Sequence, residues 1–224
     1  MIKGLIFDMD GTIFDTERLY YKGWKNVARD NGYELPDELL DTMRGGALDV
    51  CERIFNSYFK GARDFLTDRE QRQKYIFKEV GEKGVPYKPG LKELFSFLKE
   101  NGYKKALATS THRKVVDFYL SNCDMSEDDF DFIMTGDMVK NGKPAPDIFI
   151  MAAKGLGIEP SECAVVEDSK NGIRAGYDSG ARVIHIPDLE KITDKEEAML
   201  SAKLGTLTDI RDWLLKVNGE SEIK

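Results

Sequence analysis

Short apolar runs alternate with amphipathic stretches along most of the chain, and one long segment breaks the alternation. "IKGLIFD" (2 to 8) is an apolar run ending in acid, which predicts a buried strand whose C-terminal end faces a site. From about Thr16 to Lys83 the apolar positions recur at three and four instead: Tyr20, Trp24, Val27 and Ala28, then Leu48, Cys51, Ile54, Phe55 and Tyr58. That spacing predicts an all-helical block. "VPYKPG" (85 to 90) carries two prolines and a glycine, which interrupt helices and suit a linker back to another module.

Beyond the linker, strand and helix patterns take turns. "LKELFSFLKENG" (91 to 102) predicts a helix closed by Gly102, and "YKKALATS" (103 to 110) a strand ending in hydroxyls. "FDFIMTG" (130 to 136) predicts a strand and "APDIFIMAAKGLG" (145 to 157) a helix with Pro146 in its first turn. "CAVVEDS" (163 to 169) predicts a strand ending in acids, and "GARVIHI" (180 to 186) the last core strand. "LTDIRDWLLKV" (207 to 217) predicts a closing helix that starts near Thr208 or Asp209. Alternating β and α elements imply an α/β fold: a doubly wound parallel sheet, covered on both faces, with ligands at the C-terminal strand ends. The helical block is then an insertion after strand one. No internal repeat appears, and the tail "NGESEIK" is expected to be a solvated end.

Composition narrows the partners. The 224 residues, 41% of them hydrophobic, suffice to bury a core. A net charge of -7 argues against nucleic-acid or membrane surfaces, which reward clustered positive charge. An acidic protein acting on anionic metabolites needs a local lysine or a bound cation. Cys51, Cys123 and Cys163 are too few and too scattered for a disulfide framework or a metal knuckle, so buried or incidental thiols are expected. The first strand begins almost at once, with no secretory leader pattern and no membrane-length apolar run, which makes the cytoplasm the expected location. Monomer or weak homo-oligomer is expected.

Three strands end in polar clusters: Asp8 with Asp10, Thr109 with Ser110, and Glu167 with Asp168. A doubly wound sheet gathers such ends at one crevice. Four carboxylates there repel one another unless a cation sits among them, and hard oxygen ligands without His or Cys point to Mg²⁺. Period-two spacing puts Asp8 and Asp10 on the same side of an extended chain, so one can attack phosphorus while the other handles the proton. Lys143 and Mg²⁺ would neutralise the phosphoryl charge, while Thr109 and Ser110 at a helix N-terminus would supply a hydroxyl and backbone N–H groups.

Four segments, "FDMDGT" (7 to 12), "LATS" (107 to 110), "GKPAPDIF" (142 to 149) and "VEDSKNG" (166 to 172), together resemble the ordered motifs of the haloacid dehalogenase-like phosphohydrolase superfamily. The resemblance spans nearly the whole chain. It implies a Rossmann-like catalytic core over 1–15 and 86–224 and a mobile helical cap over 16–85, hinged near Asp15, Thr16 and the 85 to 90 linker. It also implies Asp8 as nucleophile and Mg²⁺ ligand, and Asp10 as general acid/base with its backbone carbonyl on the metal. Thr109, Ser110 and Lys143 would bind phosphate, Asp168 would ligate Mg²⁺, and Glu167 would be a further ligand or an acceptor just behind it.

Within the superfamily the core looks much like the β-phosphoglucomutase group, but the cap departs from it. Where those mutases carry a cap histidine this sequence has Tyr20, their loop arginine falls on Leu48 or nearby, and their cap lysine falls on Gln71. A mutase needs cationic and proton-shuttling cap groups, so their absence favours hydrolysis. The expected activity is therefore a Mg²⁺-dependent phosphatase acting on a small phosphorylated metabolite, a sugar phosphate or a nucleoside monophosphate. A phosphohexomutase is the alternative. A non-catalytic phospho-acceptor is less compatible with Asp10, whose acid/base role would serve turnover.

Other features read more plainly. His112 is expected on the surface near a helix start, and "SEDDFD" (126 to 131) as a solvated helix start. Tyr20 and Trp24 form a stripe that suits a cap core, with Tyr20 able to reach the cleft. Arg44, Gly45 and Gly46 suit either a substrate-facing loop or a connector.

Overall fold

The structure is a computed structural model describing residues 1–46 and 48–219. Five residues of the C-terminal tail, 220 to 224, lie outside the described residues. Six strands, β1 (Gly4–Phe7), β2 (Lys104–Ala108), β3 (Phe132–Met134), β4 (Cys163–Glu167), β5 (Arg182–His185) and β6 (Ala202–Lys203), form one parallel sheet. Their order is β3-β2-β1-β4-β5-β6, so β1 lies in the interior and the chain winds outward on both sides of it. The fold is the α/β Rossmann-like one expected from the alternating pattern.

The near-continuous apolar strands follow from burial on both faces. Leu5 and Phe7 pack with Leu107, Val166 and Ile184 on one face, while Ile6 packs with Ala106, Ala108 and Val165 on the other. Helices α5 (Leu91–Glu100), α6 (Arg113–Leu120) and α10 (Asp209–Asn218) cover the first face through Leu94, Leu98, Val116, Ile210 and Leu214. Helices α7 (Asp147–Leu156) and α8 (Lys170–Asp178) cover the second through Phe149, Ala152 and Ala175. A short helix, α9 (Asp194–Glu197), precedes β6.

Register decides what emerges at the sheet's C-terminal edge. Phe7 lies level with Leu107 and with Val166. The residues that follow, Asp8 and Asp10 after β1, Thr109 and Ser110 after β2, and Asp168 after β4, therefore leave the sheet together.

Between β1 and β2 stand four helices: α1 (Glu17–Asp30), α2 (Asp37–Met43), α3 (Leu48–Tyr58) and α4 (Phe65–Lys83). Trp24, Ala28, Leu39, Leu40, Met43, Phe55 and Phe65 make a separate apolar cluster, with Phe55 in contact with the rings of Trp24, Phe59 and Phe65. Helix α4 serves both clusters. Its Phe65 end lies in the helical block, whereas Ile76 and Val80 pack with Leu91, Val116 and Tyr119 in the main core.

The sequence-based expectations need three corrections. The run 180 to 186 forms β5 but is not the last strand, because the two-residue β6 adds an edge to it. "SEDDFD" forms only a single tight turn over Glu127–Asp129, closed by a reciprocal Ser126 and Asp129 cap. Asp131 leaves that run to accept from the Lys105 N–H at 2.8 Å and to pair with Lys104. The remaining plain readings hold: His112 is exposed beside α6, and Cys51 and Cys163 are buried free thiols with Cys123 half-buried. No helix among the described residues is long and apolar enough to cross a membrane.

Phe55 has no exposed surface and touches three rings, so truncating it opens a cavity that the short helices around it cannot refill. Phe55→Ala is expected to cost about 3–5 kcal/mol in denaturant unfolding. A loss under about 1 kcal/mol would mean that the helical block does not unfold with the rest of the chain.

Candidate active site

The first candidate site residue sits at the end of β1. Asp8 donates its backbone N–H to the Val166 carbonyl at 3.0 Å, which continues the β1–β4 ladder and fixes where its side chain starts. The next turn is tight because Gly11 adopts a φ of +80°, and a Cβ there would fall 2.4 Å from Asp168 Oδ2. Only glycine lets the backbone pass so near that carboxylate. Thr12 Oγ1 then donates to Asp168 Oδ1 at 3.0 Å, joining the turn to the end of β4.

Lys143 holds the centre together. Its ammonium donates to Asp8 Oδ1 at 2.5 Å, to Glu167 Oε1 at 2.7 Å and to the Ala108 carbonyl at 3.1 Å, with only 5% of its side chain exposed. Glu167 Oε2 accepts from the N–H groups of Asp168 and Ser169 and from the Ser169 hydroxyl. Both Glu167 oxygens are thus engaged, and this residue orients Lys143 and the start of α8 from beneath the cavity. A Cβ on Gly172 would lie 1.7 Å from Glu167 Oε1, so the glycine in "KNG" exists to let α8 pass over that carboxylate.

Three buried carboxylates converge here, and two of them, Asp8 and Glu167, meet this ammonium. Ligand atoms of Asp8, Glu167 and Asp168 all lie within 4.8 Å of one another. Burial lifts the Asp8 carboxyl well above the usual range, with Lys143 opposing and Glu167 and Asp10 adding to it. Burial likewise lifts Asp168, reinforced by Glu167 and Asp8. Burial works against the Lys143 charge, but Asp8 and Glu167 more than offset this and hold it above the ordinary lysine range. A site with surplus buried negative charge and only oxygen donors fits a hard divalent cation.

Asp10 lies outside that acid cluster. Its Oδ1 accepts from the Thr16 hydroxyl at 2.7 Å and the Tyr20 hydroxyl at 3.0 Å, and its Oδ2 from the Thr111 hydroxyl at 2.7 Å. Tyr20 OH lies 3.2 Å from Tyr119 OH. Burial, with Asp10 alongside, keeps the Tyr20 phenol protonated far above its ordinary range. The second acid of the pair is therefore set by hydroxyls from the start of α1 and from the loop after β2 at once.

Asp8, Asp10, Thr109, Ser110, Lys143 and Asp168 line one cavity of about 370 Å³ between the sheet edge and the helical block. Glu167 lies below its floor. Tyr20 and Trp24 both reach the cavity, and Arg44, Gly45 and Gly46 form part of its wall rather than a remote connector. Asn171 Nδ2 donates to the Gly45 carbonyl at 2.7 Å, which seats that loop on the core.

The expectation that the helical block brings no cations to the site is overturned, because Arg44, Arg69 and Arg72 all line the cavity. Leu48 does reach the wall, but Gln71 turns away to accept from Asn31 Nδ2 at 2.9 Å, and its neighbour Arg72 faces inward instead. Sequence reasoning also missed Thr111, Glu17, Asn171 and Glu190. The one available sign was that Thr111 extends the hydroxyl pair by one residue.

The model of the haloacid dehalogenase-like hydrolases matches residues 5–186. This chain belongs to that family. It is 33% identical to the phosphorylated carbohydrates phosphatase of Thermotoga maritima over 82% of this chain and 84% of that one. It is 28% identical to hexitol phosphatase B of Escherichia coli K12, covering 93% and 94% of the two chains. Among solved structures, the β-phosphoglucomutase of Clostridium difficile superposes with a TM-score of 0.77 at 23% identity, covering both chains entirely, which speaks to the fold. The chain is an enzyme, a phosphoric monoester hydrolase.

Glu17 offers a titration that can be read directly. Burial, with Asp10 nearby, pushes its carboxyl from 4.5 up to about 7, while Arg44 pulls the other way. A raised folded-state value means that the native state holds the proton more tightly than the unfolded chain does. The associated stability is full below about 4.5 and is lost as pH rises through about 7. In metal-free buffer Glu17→Gln should therefore gain on the wild type between those limits, by up to about 3 kcal/mol in denaturant unfolding. A difference that stays constant with pH would contradict the burial of that charge.

Proposed function

We propose that this hydrolase is a Mg²⁺-dependent phosphatase of a small phosphorylated metabolite, a sugar phosphate or a nucleoside monophosphate, working through an aspartyl-phosphate. The observation that carries the reading is the pairing of a buried, lysine-held Asp8 with an Asp10 gripped by three hydroxyls. One carboxylate is positioned and stripped of water, as a nucleophile needs. The other is oriented separately by hydroxyl donors, as a general acid/base needs.

In this reading an Asp8 oxygen attacks phosphorus and the bond from phosphorus to the leaving oxygen breaks. Asp10 gives its proton to the departing alcohol. A water then attacks the phosphorus of the aspartyl-phosphate, Asp10 takes its proton back, and the Asp8 carboxylate is released with inorganic phosphate. Lys143 offsets the charge spread over the phosphoryl oxygens, and Thr109 and Ser110 bind them. Asp8, Asp168 and the Asp10 backbone carbonyl would hold the cation, with Glu167 behind them, and the bound Mg²⁺ would supply charge neutralisation. The segments 1–15 and 86–224 serve as the catalytic core and 16–85 as a cap that closes over the substrate, carrying Tyr20 onto Asp10 and expelling water.

The cap arginines favour one rival, a phosphohexomutase, whose intermediate carries two phosphates. Phosphate release from sugar and nucleoside monophosphates, with Mg²⁺ and with EDTA, separates the two. The phosphatase reading expects metal-dependent release with a preferred substrate, whereas isomerisation primed by a sugar bisphosphate without net release would replace it with the mutase. Asp8→Asn should give no turnover above background. Asp10→Asn should slow turnover by about 10²–10⁴-fold and leave phosphate trapped on Asp8, visible as a mass increase on the intact protein. Wild-type rates in either variant would reject the role given to that residue.

A further inference from the structure

The loop after β5 carries a carboxylate that the site described above does not use. Ile186 donates its backbone N–H to the Glu167 carbonyl at 2.9 Å, which extends the β4–β5 pairing and brings the chain out of the sheet beside Asp168. Asp188 follows two residues later. Its side chain is 1% exposed, so water cannot satisfy it and each oxygen needs a donor of its own.

One oxygen is well supplied. Oδ1 accepts from the Lys88 ammonium at 2.9 Å and from Arg18 at 3.4 Å, two cations that flank the bridge between Phe14 and Tyr87. Oδ2 is sealed from solvent and has no hydrogen-bond partner. It looks onto the turn at Gly11. The point where a side chain would start on that glycine lies 3.1 Å from Asp188 Oδ2 and closer still to Asp168 Oδ2, so the two acids border one notch. Serving as counter-charge to Lys88 accounts for Oδ1 alone. A buried acceptor left open is costly, and the direction of Oδ2 says what would satisfy it: a donor standing over the Gly11 turn, beside Asp168. No side chain among the described residues supplies one. A hydrated divalent cation would, because Mg²⁺ dehydrates reluctantly and its charge makes the waters it keeps strong donors.

We propose that Asp188 belongs to the metal centre as an outer acceptor: its open oxygen accepts a hydrogen bond from the hydrated cation that Asp8 and Asp168 hold, and so tightens the grip on that cation. This rests on the Mg²⁺ reading above and adds an acid from the end of β5 to those from β1 and β4. Lys88 and Arg18 keep Oδ1 in place and thereby aim Oδ2 at the notch. Asp188 is a positioning residue in this scheme, since it reaches the cation only through another group.

The test is metal affinity, read without turnover. Mn²⁺ is titrated into the full chain, the free ion is followed by electron paramagnetic resonance, and Mg²⁺ is added as competitor. Asp188→Asn is expected to bind both ions about tenfold or more weakly than the wild type. The amide oxygen keeps the bond from Lys88, so the amide nitrogen, a donor, stands where Oδ2 accepted. Losing a nearby negative charge weakens any cation site, and a paired variant separates that effect. Lys88→Gln with Asp188→Asn removes one charge of each sign, leaves no unpaired buried charge to threaten folding, and should show the same loss. Arg18→Gln breaks only the longer contact of an exposed arginine and should stay within about threefold of the wild type. Wild-type affinity in Asp188→Asn or in the paired variant would overturn the proposal and leave Asp188 as the counter-charge of Lys88. An Arg18→Gln loss as large as that of Asp188→Asn would overturn it too, by tracing the effect to the contacts around α1. If the wild type binds neither Mn²⁺ nor Mg²⁺, the metal reading itself fails and this inference with it, an outcome distinct from tight wild-type binding that ignores Asp188.

Discussion

The site depends on one buried ammonium. Among the described residues Lys143 is the only cation that touches both the β1 carboxylate and the β4 carboxylate, and without it Asp8 and Glu167 would face each other across neighbouring strands with no side chain to offset them. Breaking such a buried arrangement from one side leaves uncompensated charge, at a cost of about 3–5 kcal/mol. The surrounding backbone is shaped to admit it. Gly172 makes room for Glu167, Ser169 and its neighbours satisfy the oxygen that Lys143 does not reach, and the Ala108 carbonyl takes a third ammonium proton. The sheet's register and this charge pattern are two aspects of one constraint, because only strands level at Phe7, Leu107 and Val166 bring the partners within reach.

The second acid follows a different logic. Among the described residues Asp10 makes no ion pair and is held by three hydroxyls, two from the start of α1 and one from the loop after β2. The Lys143 contact, by contrast, favours the charged form of Asp8 against its burial. Two acids one residue apart thus differ in environment because the turn at Gly11 sends them to different neighbours. Tyr20 and Thr16 make the Asp10 environment depend on where the helical block sits, and Asn171 with Gly45 ties the block's loop to the core beside it.

Most of the fold was legible because the strands are buried on both faces and end in polar groups, a pattern that local sequence displays directly. The site floor was legible for the same reason: acids and hydroxyls directly after apolar runs have few other uses. β6 was not, since two residues, Ala202 and Lys203, carry no periodicity. The cap wall was not either, for a physical reason. Arginines at a helical spacing of three read as a solvated face, and nothing local says that this face of α4 is turned down onto a cavity. Gln71 and Arg72 differ by one position in sequence but by about 100° around the helix, so a one-residue uncertainty in alignment selects a side chain pointing elsewhere.

Helix α4 joins two bodies that otherwise have separate cores. Its Phe65 end is embedded in the block around Trp24, and its Ile76 and Val80 end is rooted among Leu91, Val116 and Tyr119. The rooted end fixes the helix's rotation about its own axis, and with it the direction in which Arg69 and Arg72 point. Inserting or deleting one residue between Arg72 and Ile76 would turn the arginine face by about 100° while leaving every residue of the floor untouched. The direction in which the cavity's arginine wall faces is thus stored as an angular phase along one helix, separate from the register that sets the floor.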